Sequence, residues 1–107
     1  MSTASGAFVA VAKVGEIAEG GVKVVRIEDQ AIAVFRLADG YYAMDDVCTH
    51  DGGPLADGII EGAEIECPRH GARFDIRTGA VRCMPATEDV NTYPVRIEGD
   101  EIQVRWS

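Results

Sequence analysis

Both histidines of this chain and two of its three cysteines fall in two short matched runs, Cys48-Thr49-His50 and Cys67-Pro68-Arg69-His70. An isolated cysteine or histidine is most often packing or surface. Thiol and imidazole repeated in the same order in two loops make a donor set for a metal. Tetrahedral zinc accepts two thiolates and two imidazoles, but its ligand pairs usually run Cys-x₂₋₄-Cys and then His-x₃₋₅-His. Here each run supplies one of each.

A binuclear iron–sulfur centre accounts for that mixture, one iron taking two thiolates, the other two imidazoles, with sulfides bridging them. Two ferric ions, two sulfides, two thiolates and neutral imidazoles sum to about zero charge, and one added electron gives about minus one. Four thiolates would leave the same core two units more negative and harder to reduce in a low-dielectric site. His50 and His70 therefore raise the reduction potential. Gly52, Gly53, Pro54, Pro68 and Gly71 surround the four ligands, and the glycines would let backbone N–H groups approach the sulfurs.

On these residues the chain, roughly from Val22 to Trp106, resembles a Rieske-type [2Fe–2S] protein, which implies one cluster per chain held by Cys48, His50, Cys67 and His70. The resemblance also implies that the loop bearing Pro85 covers the other side of the cluster. Membrane-complex members carry an N-terminal anchor and one further cysteine in each ligand loop, joined in a disulfide. The matching positions here are Gly53 and Arg69. Those members also follow the last ligand with Gly-Ser-x-Tyr, whose hydroxyls donate to the cluster sulfur and a ligating cysteine. Here the residues are Gly71, Ala72, Arg73 and Phe74.

These departures match the soluble ferredoxins of bacterial ring-hydroxylating dioxygenase systems, with a potential low in the Rieske range. Such a ferredoxin takes electrons from an NAD(P)H-dependent flavin reductase and passes them to a terminal oxygenase, without substrate chemistry of its own. An oxygenase subunit would need a mononuclear iron held by two more histidines and a carboxylate, and both histidines are already used. Two rival assignments are a small Rieske subunit of a nitrite-reductase-like assembly and a zinc-stabilised interaction domain.

A chain of 107 residues suits one domain, 1–107, with a loop-rich cluster-binding subdomain at about 45–85. Ten Lys and Arg stand against 18 Asp and Glu, a net charge of −8, which excludes the basic footprint of a nucleic-acid binder and favours a positively charged partner. The early apolar run Ala7–Ala12 is far shorter than the ~18 residues of a membrane span, and no basic segment precedes it. A monomer in a reducing cytoplasm is expected, its cysteines serving as metal ligands, with Cys83 a spare apolar filler.

The elements that must position the ligands read as strands. Residues 1–6 are small and polar and should fray. Phe8–Lys13, Val22–Ile27 and Ala31–Leu37 are rich in apolar or β-branched residues, and Asp39-Gly40 signals a hairpin before Tyr41–Met44. Short strands are expected at Glu64–Glu66 and Arg73–Ile76. Val95 and Ile97, then Ile102, Val104 and Trp106, alternate with polar residues across a turn at Gly99-Asp100. Phe74 and Trp106 are assigned to packing. No apolar repeat of 3.6 residues is sustained, so the fold class is all-β, an antiparallel sandwich or small barrel.

Overall fold

The computed structural model describes residues 8–47, 53–68, 71–83 and 88–106. Their regular structure is entirely β, without a helix among the described residues. β1 (Phe8–Lys13) and β2 (Val22–Ile27) span the expected residues, while β3 (Gln30–Leu37) and β4 (Gly40–Asp45) are slightly longer than expected. The β2–β3 connection is a two-residue hairpin in which Glu28 and Asp29 both have positive φ, 50° and 71°, the type I′ condition that suits strand twist. In the next hairpin the turn residues are Ala38 and Asp39, because Gly40 already pairs with Leu37. The expected turn at Asp39-Gly40 thus shifts by one residue.

β5 (Ile59–Glu61), β6 (Glu64–Glu66), β7 (Arg73–Asp75) and β8 (Val81–Cys83) form one antiparallel sheet in that order. β7 stops at Asp75, one residue short of expectation, because the Asp75 carboxylate accepts the N–H groups of Arg77 (2.8 Å) and Thr78 (3.2 Å) and turns the chain. β9 (Thr92–Tyr93) extends the meander to β2-β3-β4-β9, and β10 (Val95–Glu98) with β11 (Glu101–Arg105) completes a sheet ordered β1-β11-β10.

The meander is the middle layer, since successive side chains of a strand point to opposite faces. Ala33, Phe35 and Leu37 of β3 join Met44, Leu55, Ile65, Cys67, Ala72 and Phe74 in one core, while Ile32 and Val34 join Ile102 and Val104 in another. Both faces of β3 are therefore covered. Burying an aromatic or branched side chain such as Phe35 or Ile32 stabilises the fold by on the order of 1.5–3 kcal/mol each. Phe74 is enclosed in the first core and Trp106 lies against the second, 5.4 Å from the Tyr93 ring. Both aromatic residues therefore pack as the sequence suggests.

Candidate metal centre

The second ligand run lies in the β6–β7 hairpin. Its final ladder pair is Glu66 with Arg73, and the loop beyond closes on itself. The Cys67 N–H donates to the Ala72 carbonyl (2.7 Å) and the Gly71 N–H to the Cys67 carbonyl (3.1 Å). Gly71 has φ +78°, a left-handed conformation that glycine adopts without cost. Its own N–H is taken up by the turn.

Outside the loop, the Arg73 guanidinium reaches Glu66 (2.9 Å), Glu61 (2.8 Å) and Glu64 (3.5 Å). The hydrogen bond with Glu61 is the main reason its pKa is raised further. Cys67 itself is 1% exposed, in no disulfide, and packed with Ala72, Phe74 and Leu55 in the first core.

The first ligand run follows β4. Two residues before Cys48, Asp46 is 8% exposed, the buried charged side chain among the described residues. Its Oδ1 accepts the Ala56 N–H at 2.8 Å, and its own N–H donates to the Ala31 carbonyl at 3.0 Å. Beyond Pro54, Leu55 is fully buried and the Gly58 N–H donates to its carbonyl at 2.9 Å. Gly58 lies so close to β6 that a Cβ there would sit 1.8 Å from the Glu66 carbonyl oxygen. The arm leaving the first loop thus leans on the residue before Cys67.

Residues 89–91, which lead into β9, are anchored to the same frame. The Asp89 carboxylate accepts the Val81 N–H (2.9 Å), the Val90 N–H donates to Gly79 (2.8 Å), and the Asp45 N–H donates to Asn91 (3.0 Å). The Asp45 carboxylate accepts from Gln30 (3.1 Å), Asn91 (3.3 Å) and the Tyr93 hydroxyl (2.6 Å). Burial, then the hydrogen bond and charge of Asp45, push the Tyr93 phenol well above its ordinary value.

Of the expected ligands, Cys67 is described, whereas Cys48, His50 and His70 lie outside the described residues, as do residues 1–6, Thr49, Asp51, Gly52, Arg69, Met84, Pro85 and the side chain of Cys83. Cys67 fits an iron–sulfur group: a buried thiol, unbridged, at the mouth of a hydrogen-bonded turn, in a loop whose base touches the arm of the other. Asp45 and Asp46 escaped sequence reasoning. The available signal was the affinity of Asp for backbone N–H groups, which does not say that the partner lies ten residues away.

A profile of the Rieske [2Fe-2S] domain family matches residues 7–94. The ferredoxin component of a naphthalene 1,2-dioxygenase system of Pseudomonas aeruginosa is 44% identical over 92 residues, 86% of this chain and 88% of that protein. Among solved structures, the ferredoxin of carbazole 1,9a-dioxygenase from Nocardioides aromaticivorans superposes with a TM-score of 0.87 at 34% identity, covering 92% of this chain and 96% of that one. A complex of reduced oxygenase and oxidized ferredoxin in carbazole 1,9a-dioxygenase contains a chain that matches with a TM-score of 0.87 at 31% identity, covering 92% of each.

Proposed function

We propose that this chain, which belongs to the Rieske [2Fe–2S] domain family, works as the one-electron ferredoxin component of a ring-hydroxylating dioxygenase system. A bound [2Fe–2S] cluster would supply one-electron redox chemistry. Cys48 and Cys67 would hold one iron as thiolates, and His50 and His70 would hold the other as neutral imidazoles. The hairpin hydrogen bonds fix the backbone on either side of the Cys67 thiol, and Ala72, Phe74 and Leu55 keep water from it. The observation that carries this function is Cys67, a free thiol sealed in the core at the mouth of a ligand loop. Residues 1–107 act as one domain, with about 45–85 carrying the cluster.

The electron donor is a flavin-dependent ferredoxin reductase and the acceptor a terminal oxygenase, all in the cytoplasm, with this chain a monomer. No helix among the described residues is long and apolar enough to cross a membrane. The test is reconstitution from purified reductase, oxygenase and this chain, with NAD(P)H consumption and hydroxylated product as readouts. Product formation should require the chain and saturate with it. Equal product without the chain would exclude it as the carrier.

A further inference from the structure

We propose that Asp46 and Gly58 form a brace that sets the spacing of the two ligand loops, and that Asp46 is a positioning residue for the cluster. This rests on Cys48, His50, Cys67 and His70 being the ligands. Asp46 lies two residues before Cys48, and its carboxylate binds the Ala56 N–H on the far arm of the same loop (2.8 Å). The near arm is fixed to β3 by the Asp46 N–H on the Ala31 carbonyl (3.0 Å). That one residue therefore ties both arms of the first loop to the middle sheet. The arm then turns at Leu55–Gly58 and presses Gly58 against Glu66, the neighbour of Cys67.

A carboxylate is suited to this place because a buried N–H without an acceptor is costly, and a charged acceptor makes a shorter, stronger bond than a neutral one. Glycine is suited to position 58 because any side chain would collide at 1.8 Å with a backbone oxygen that cannot rotate aside. The two contacts in series connect the backbone beside Cys48 to the backbone beside Cys67. Spacing between the loops then depends on both.

The experiment compares the parent holoprotein with Asp46→Ala, Asp46→Asn and Gly58→Ala. Iron per chain, the rate of cluster bleaching under a chelator, and the EPR line shape of the reduced form are measured. Asp46→Ala and Gly58→Ala should bleach about tenfold faster or more, the scale seen when groups that orient metal ligands are removed, with an altered line shape. Asp46→Asn keeps a neutral acceptor oxygen in the same place and should bleach more slowly than Asp46→Ala, with a line shape close to parental. Val104→Ala controls for lost stability: Val104 is fully buried in the second core, on the face of β3 away from the core that holds Cys67, so its line shape should stay parental while its urea midpoint falls. Parental bleaching and line shape in Gly58→Ala, or Asp46→Asn behaving like Asp46→Ala, would overturn the brace while leaving the ligand assignment intact. If Asp46→Ala does not fold, the Asn and Gly58 variants decide. A parent without iron would overturn the ligand assignment and the brace with it.

Discussion

At the scale of single residues, ligand charge is the lever on potential. Replacing His50 or His70 by Cys exchanges a neutral donor for an anion, so the reduction potential should fall in any variant that keeps its cluster. Voltammetry would show this, and a raised potential would contradict the charge count. Ala72 and Phe74 offer the opposite change. Both are fully buried beside Cys67, so hydroxyls placed there would be desolvated and must find an acceptor. Ala72→Ser with Phe74→Tyr should raise the potential by about 100 mV, if ~1.4 kcal/mol of each charge-assisted hydrogen bond survives as preference for the reduced form, roughly 60 mV per donor. An unchanged potential with both hydroxyls in place would remove these positions from the tuning set. Residue types and spacing in the two Cys and His runs made the Rieske family legible in the sequence. Asp46 was not legible, because its partner is a backbone N–H, a group every residue but proline carries.

At the scale of elements, the turn after β7 carries a titratable support. Burial raises the Asp75 carboxyl, but Arg82 at 2.8 Å and the N–H groups of Arg77 and Thr78 outweigh it and hold it below its ordinary value. A depressed carboxylate contributes stability above its ordinary pKa and loses that contribution as pH falls. Urea midpoints of the parent should therefore drop steeply below about pH 4, and Asp75→Asn, with that contribution removed, should show a flatter acid limb. Equal limbs would mean that the turn does not depend on the charge. The strands missed in the sequence, β5, β8 and β9, are two or three residues long. β5 (Ile-Ile-Glu) and β9 (Thr-Tyr) lack the polar–apolar alternation that Glu64–Glu66 shows, and the strand character of all three comes from the ladders of β6, β7 and β4 that they join. Long strands such as β2 and β3 declare themselves locally. The burial of β3 on both faces depends on two other sheets and has no local signature.

At the scale of the molecule, acidity and ion pairing decide how partners are met. Of the few cations, Lys13, Lys23, Arg73, Arg77, Arg82 and Arg96 are already paired with Asp or Glu, leaving a surplus of −8 to act at a distance. Exposed pairs of this kind add little stability, but the surplus should speed encounter with a basic patch. Reductase-dependent reduction of this chain should therefore slow as salt rises from about 10 mM to above 150 mM, where the Debye length shrinks from ~30 Å to under ~8 Å. A salt-independent rate would remove steering from the account. The central claim, a chain that cycles one electron on a mixed Cys and His ligated [2Fe–2S] cluster, is tested most directly by an EPR-monitored potentiometric titration of the purified protein with its iron quantified. About two irons per chain, an EPR-silent oxidised form, and one spin per chain appearing in a one-electron Nernst curve are the predicted result. Stoichiometric zinc, or no spin at any potential, would contradict it.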